Sequence, residues 1–220
     1  MIQLFKQNKE FLVPYFVVFI PISVCLLIFP KADIHIFFNK FHTNFLDFLI
    51  PNLTNLGDGF VYFGFIFILL FVKYRYSLAS LISLLISMPL MYILKQIIFN
   101  NLSRPRTFFN EIYLGSYKLY LVPGTNPEMM DSFPSGHTTT AFAMFFILSA
   151  IIKNKILKFI FFILAISVGY TRIYMSNHFL VDVAGGSFLG LSASFLAVHF
   201  SNKLKKQWIE KSIIIQIKKV

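Results

Sequence analysis

The sequence predicts an all-α integral membrane protein, a single domain over residues 1–220 built as a bundle of six transmembrane helices. The first observation is composition: 57% of the residues are hydrophobic and only 13% are charged, whereas soluble domains carry about 25% charged residues. The second is a series of six apolar segments, and the third is an uneven distribution of lysine and arginine between them. This composition disfavours the alternative, an unusually apolar soluble domain.

Six apolar segments define the predicted spans. A helix needs roughly 20 residues, with about 17 as the practical lower end, to cross the hydrocarbon core of a bilayer. The first, third and last segments meet that length, whereas the second and fifth are short and are expected to extend into flanking polar residues. The segments cover residues 11–29, 57–72, 77–94, 136–152, 156–171 and 179–200.

The first segment could also be a cleaved signal peptide, because Lys6 and Lys9 precede it. It is followed by Phe29-Pro30-Lys31 and not by a small-x-small cleavage site, so we expect a retained helix. The single cysteine, Cys25, lies in the same segment and excludes an intramolecular disulfide framework.

The distribution of cations predicts the orientation. With a cytoplasmic N-terminus, thirteen lysines and arginines fall on the cytoplasmic side and seven on the other, which also holds seven of the nine acidic residues. An excess of Lys and Arg marks the cytoplasmic side. The net charge of +11 is therefore interpreted as topology and attraction to anionic lipid, and no nucleic-acid partner is expected because the basic tail carries no binding motif.

Two connections on the outer side are long. Residues 30–56 are amphipathic and are predicted to form an interfacial helix that lies on the bilayer. Residues 95–134 are polar and rich in proline, asparagine and tyrosine, and long connections of this kind are more often functional than not.

Three polar clusters fall on this outer side. Ionisable residues at such depths are costly and usually functional. The clusters are carried by the stretches LKQIIFNNLSRPR from residue 94, DSFPSGH from residue 131 and YTRIYMSNHFLVD from residue 170.

In the third cluster, His178 and Asp182 are four residues apart, which places them on one helix face. An aspartate that accepts one ring N–H makes the other nitrogen a better base or nucleophile. The alternative is a simple polar pair at a helix start. Arg172 precedes the pair and adds a positive charge.

In the second cluster, Ser135 is suited to cap a helix, and Gly136 leaves the backbone open to close approach. A helix start with unpaired N–H groups favours an anion, and His137 in the first turn could donate a proton to a departing oxygen. An ordinary capped helix would explain Ser135 without His137.

In the first cluster, Arg104 offers a planar fork suited to phosphate oxygens, and Lys95 a flexible point charge. The alternative is interfacial snorkelling, above all for Lys95. Together the clusters suit a phosphate group: one histidine attacks, the other protonates the leaving group, and the cations hold the oxygens. No acidic cluster suited to Mg²⁺ appears, and two histidines alone make a weak zinc site, so we expect metal-independent chemistry without a cofactor.

These residues resemble the motifs of the type 2 phosphatidic acid phosphatases, the PAP2 superfamily: Lys-x6-Arg-Pro, Pro-Ser-Gly-His and Ser-Arg-x5-His-x3-Asp. Residues 134–137 match the second motif completely, and Arg172, His178 and Asp182 match the third in spacing, with Thr171 in place of Ser. The first is looser, since eight residues instead of six separate Lys95 from Arg104.

The resemblance implies a six-helix PAP2-type fold and a phosphohistidine mechanism. His178 would attack phosphorus, Asp182 would orient it and His137 would be the general acid. The phosphoryl oxygens would be held by Lys95, Arg104, Ser135, Gly136 and Arg172.

The resemblance further implies a phosphorylated membrane lipid as substrate: lipid A, undecaprenyl diphosphate, phosphatidylglycerol phosphate or phosphatidic acid. Such an enzyme would lie in the bacterial inner membrane with its active site facing the periplasm. A lipid phosphotransferase of the same family is the first alternative. A non-catalytic transporter or scaffold is the second, but it gives no reason for the spacing of the histidines.

Overall fold

The computed structural model describes residues 1–112 and 116–217, and these residues form helices and loops without a strand. Lys218 and Lys219, which contribute to the cation count, lie outside the described residues. The eleven described α-helices are α1 Ile2–Gln7, α2 Lys9–Ile28, α3 Lys31–Phe38, α4 Asn44–Leu53, α5 Gly59–Val72, α6 Tyr74–Tyr92, α7 Pro105–Thr107, α8 Gly136–Ile151, α9 Lys155–Tyr174, α10 Leu180–Lys203 and α11 Ile213–Ile217.

Every predicted span coincides with a helix, but the helices differ in length. Four described helices are long and apolar enough to cross a membrane: α2, α6 with its π-helical extension Ile93–Ile98, α9 and α10. A fifth span results if α5 is joined to the segment Asn44–Gly57, from which it is bent by 52°. Helix α8 is apolar but has only 16 residues. The chain is thus a multi-pass helical membrane protein, and the count of six spans stays a prediction.

Helix α8 lies at the centre of the bundle and packs against α5, α6, α9 and α10. Its side chains are buried around most of its circumference, as expected for a helix that is apolar on all sides. Close approach of α10 depends on Gly190, where a Cβ atom would overlap the Thr139 backbone. Because α8 is enclosed by protein, its first turn can hold polar groups away from lipid.

The segment over residues 30–56 differs from the single interfacial helix predicted for it. It forms two helices, α3 and α4, separated by a break in which Asn39 is buried and bonds to the backbone of Tyr120. Thr43 then caps α4 through the Leu46 amide. The break arises because the amide of Asn39 satisfies the backbone of a distant loop, a partner that amphipathicity cannot show. The position of these helices on a bilayer stays a prediction.

The connections assigned to the cytoplasmic side meet at one end of the bundle. Lys158 donates to Asn8 Oδ1 at 3.1 Å, and the Tyr74 amide donates to the Lys211 carbonyl at 2.9 Å. Arg75 binds the carbonyl of Leu204 at 2.9 Å. The N-terminus, both short connections and the tail therefore share one end, and the three polar clusters lie at the other.

Candidate active site

The three polar clusters come together at the outer end of the bundle. The Ser135 amide donates to the Asp182 carbonyl at 3.0 Å, which ties the start of α8 to the start of α10. The Arg104 Nη1 atom lies 3.4 Å from His178 Nε2 and 3.5 Å from the Asn177 carbonyl. Segments that are far apart in sequence thus form one polar centre.

The end of α9 places His178. The Arg172 carbonyl accepts hydrogen bonds from the amides of both Asn177 and His178, each at 3.0 Å. Ser176 has a φ of 53°, so the chain reverses through a left-handed residue as helix C-termini commonly do. The five-residue spacing between Arg172 and His178 is the length of this turn.

His178 and Asp182 form a buried pair, each side chain only 3% exposed. The His178 Nδ1 atom lies 3.5 Å from Asp182 Oδ2, an ion-pair distance too long for a strong hydrogen bond. The same oxygen accepts from the Phe179 amide at 2.8 Å and from the Ser132 hydroxyl. Ser132 was missed by the sequence reasoning, because its partner lies 50 residues away.

The neighbours of His178 determine its tautomer. A guanidinium can only donate hydrogen bonds, so the Nε2 atom that faces Arg104 carries the lone pair and Nδ1 carries the proton, towards Asp182. Burial lowers the pKa of His178 to about 4, against the opposing effect of the Asp182 carboxylate. At neutral pH the imidazole is therefore uncharged, with an unprotonated nitrogen that points at a cation.

Arg104 is 5% exposed and is held by backbone and side-chain contacts. Its Nε donates to the Met130 carbonyl at 2.7 Å, and its guanidinium forms an ion pair with Glu128. The Glu128 side chain is 74% exposed, so this carboxylate can leave the arginine at little cost. An anion of the ligand could then take its place.

Arg172 is the second buried cation, 7% exposed. Its Nη1 donates to Thr54 Oγ1 at 2.8 Å, and its Nε has no hydrogen-bond partner among the residues that the structure describes. A buried guanidinium with a donor to spare is suited to an anionic ligand. Thr54, which lies 118 residues from Arg172, was also missed by the sequence reasoning.

Lys95 lies at the margin of this centre, in the π-helical turn at the end of α6. Its ammonium donates to the Asp131 carbonyl at 2.8 Å, while its charge is close enough to interact with Arg104 and Asp182. The structure thus places Lys95 among the site charges without direct contact with the histidines in the described hydrogen bonds.

Ser135 is fully buried and caps α8, as predicted. Its Oγ accepts from the Thr138 amide at 3.5 Å and from the Thr138 hydroxyl at 2.9 Å. A Cβ atom added to Gly136 would meet only the Met91 thioether, at the ordinary contact distance of 3.5 Å. Protein packing therefore does not require a glycine at residue 136.

Because protein packing leaves space beside Gly136, substitutions at Gly136 and at Gly190 should have different effects. We expect Gly136→Ala to fold with wild-type thermal stability but to lose activity, roughly tenfold or more, because its methyl group would occupy space that the ligand needs. Gly190→Ala should instead lower the melting temperature, since its Cβ would overlap the Thr139 backbone. Activity and thermal unfolding of both purified variants check this, and full activity of Gly136→Ala would remove Gly136 from the site.

His137 lies in the first turn of α8, with its side chain 33% exposed. Its Nε2 is 4.0 Å from Asp58 Oδ2, and the charges of Arg172 and Arg104 also act on it. These are the arginines that act on His178, so both histidines face the same cations. Asp58 and the 3₁₀ turn Thr54–Gly57 that precedes it form a fourth segment of the site, which no motif in the sequence marked.

Within residues 1–112 and 116–217, no group of three or more His, Cys, Asp and Glu side chains is arranged to hold a metal ion. Metal independence stays a prediction.

Fold and site together define a class: helical multi-pass membrane proteins with a buried centre of histidine, aspartate and arginine at one end of the bundle. The family model described as the PAP2 superfamily matches residues 76–206, more than half of the chain and all three clusters. The protein belongs to the PAP2 superfamily.

Individual relatives agree with this membership. The chain is 33% identical over 88 residues to phosphatidylglycerophosphatase B of Bacillus subtilis (36% of this chain, 43% of that protein). It is 32% identical over 74 residues to the undecaprenyl-diphosphatase BcrC of the same organism (34% and 37%). These matches span less than half the length of either relative. The crystal structure of Aquifex aeolicus LpxE superposes with a TM-score of 0.66 at 26% identity, covering 76% of this chain and 93% of that one, which confirms the fold.

Proposed function

We propose that this protein is a lipid phosphatase that hydrolyses a phosphate monoester or diphosphate on an envelope lipid through a phosphohistidine intermediate. The observation that carries the proposal is the orientation of His178, a neutral imidazole with its lone pair towards Arg104 and its proton towards Asp182. Family membership and the phosphatases among the relatives support it.

In the first step, His178 Nε2 attacks phosphorus and the bond from phosphorus to the leaving oxygen breaks. His137 gives a proton to that oxygen, so a neutral alcohol or a phosphate departs. Arg104 and Arg172 stabilise the charge on the remaining phosphoryl oxygens, since phosphoryl transfer depends mainly on positioning and electrostatics. Asp182 stabilises the positive charge that develops on the attacking imidazole.

In the second step, water attacks the phosphorus of the phosphohistidine and the P–N bond breaks. His137 takes the proton from water, which restores it as an acid, and His178 recovers its lone pair. Inorganic phosphate leaves.

Substrate and location are parts of the same proposal. The candidates are lipid A, undecaprenyl diphosphate, phosphatidylglycerol phosphate and phosphatidic acid. The asymmetry of lysine and arginine supports a bacterial inner membrane with the site towards the periplasm. A phosphotransferase would use the same residues, with a second lipid in place of water.

A panel of purified lipid phosphates in detergent, assayed for released phosphate with and without EDTA, tests the proposal. We expect phosphate release from at least one lipid, without an acceptor lipid and undiminished by EDTA, because the site residues alone supply nucleophile, acid and charge. Transfer only in the presence of an acceptor lipid would favour the phosphotransferase. Turnover abolished by EDTA and restored by a divalent cation would contradict metal independence, and no turnover of any lipid would contradict the enzyme.

A further inference from the structure

Asp58 faces His137 from outside the three motif segments. Its two carboxylate oxygens have different partners: Oδ1 accepts from the Phe60 amide at 2.7 Å and so caps α5, whereas Oδ2 lies 4.0 Å from His137 Nε2. Because the cap fixes the carboxylate, the second oxygen is held towards the imidazole. Its side chain is 40% exposed, so solvent reaches this side of the histidine.

The backbone before Asp58 is packed directly on the start of α8. A Cβ atom on Gly57 would lie 2.5 Å from the His137 carbonyl and 2.7 Å from Val168 Cγ1, so only glycine permits this approach. The Thr140 hydroxyl donates to the Gly57 carbonyl. The backbone segments that carry Asp58 and His137 are therefore held in close contact.

The charges around His137 indicate a role for Asp58. Burial first, and then Arg172 on α9 and Arg104 in the outer loop, disfavour a positive charge on the His137 ring, whereas Asp58 before α5 and Glu128 in the loop favour it. Glu128 is already paired with Arg104, which leaves Asp58 as the near acidic group in the described residues that is not engaged by an arginine. A general acid must be protonated when the leaving oxygen departs.

We propose that Asp58 is a positioning residue for the general acid: its carboxylate stabilises the protonated form of His137 beside the two arginines. The inference rests on the proposed function, in which the ring proton of His137 passes to the leaving oxygen as the P–O bond breaks and returns from water in the second step. The centre then contains two histidine–aspartate pairs. In the buried pair, burial keeps His178 neutral for attack, and in the solvent-facing pair the Asp58 carboxylate favours the charged form of His137 that donates the proton.

Asp58→Asn tests the proposal, because asparagine caps a helix as well as aspartate and removes only the charge. On a lipid phosphate we expect kcat at pH 7.5 to fall about 10- to 100-fold with KM unchanged, and the alkaline limb of the pH–kcat profile to move about one unit or more to lower pH. Turnover of p-nitrophenyl phosphate should change less than about threefold, because its leaving phenolate needs little help from an acid. Asp58→Glu should restore much of the loss.

Two further variants separate the possible outcomes. Asp33→Asn removes an exposed outer acid on α3 and should leave the pH profile in place, which controls for a general change in surface charge. His137→Ala should lose turnover of the lipid phosphate but still release a stoichiometric burst of p-nitrophenol from the aryl ester, because only the later hydrolysis of the phosphohistidine needs His137 as a base. If His137→Ala behaves so and Asp58→Asn keeps the wild-type alkaline limb, the role of Asp58 is wrong and the proposed function stands. If His137→Ala leaves lipid turnover intact, the general acid of the proposed function is wrong as well.

Discussion

His178→Ala is expected to abolish phosphate release from lipid phosphates, with a loss of about 10⁴-fold or more in kcat. The variant removes the only side chain in the proposed mechanism that forms a bond to phosphorus. Asp182→Ala should lose less, because Asp182 orients the imidazole and does not attack. Initial rates of phosphate release in detergent measure both losses.

A covalent label gives a second measurement on His178. Brief incubation with a lipid carrying radioactive phosphate, followed by denaturation, should leave label on the wild-type chain that is stable to base and lost in acid, as expected of a phosphorus–nitrogen bond. The label should be absent from His178→Ala. His199→Ala, near the opposite end of α10, is the matched control and should keep both label and turnover. A His178→Ala protein that still turns over lipid phosphate, or still takes up the label, would contradict the nucleophile.

Arg172→Lys is expected to lower kcat/KM by about 10²- to 10³-fold, the range found when one preorganised donor is removed from a transition state. The substitution keeps the positive charge but removes the planar fork. In the structure that fork is oriented by Thr54 through Nη1 and has its Nε unengaged by the described residues. Kinetics on one lipid phosphate at several concentrations separate kcat from KM.

Two further variants identify why Arg172→Lys loses kcat/KM. Thr54→Val should produce a smaller defect of the same kind, roughly tenfold, because it frees the guanidinium without removing it. Arg75→Lys is the matched control, since Arg75 lies at the other end of the bundle and pairs with Glu210. Wild-type kcat/KM in Arg172→Lys would mean that charge alone is needed at this position. It would contradict the requirement for an oriented guanidinium group.

Helix positions and the three clusters were predictable because their signals are local. Hydropathy depends on runs of neighbouring residues, and every predicted span coincides with a helix. The cap at Ser135 and the pairing of His178 with Asp182 depend on residues three and four positions apart, distances that helix geometry converts directly into contact. The number of helices between the clusters likewise predicted that they share one end of the bundle.

Contacts over long sequence separations were decided only by the tertiary structure. Ser132 reaches Asp182 across 50 residues and Thr54 reaches Arg172 across 118, and no periodicity encodes such a partner. The break at Asn39, which divides the segment predicted as one interfacial helix, has the same origin, since its amide bonds to Tyr120 81 residues away.

Which residues are proposed to do the chemistry was thus determined by the sequence itself, because reactive side chains and their helical spacing are local properties. How those residues are oriented, neutralised and charged was decided by packing, because burial and the direction of a neighbour's charge exist only once the helices have met. Asp58 is the clearest case: in the sequence it is one acid before an apolar run, and in the structure it is the carboxylate nearest His137 among the described ion pairs.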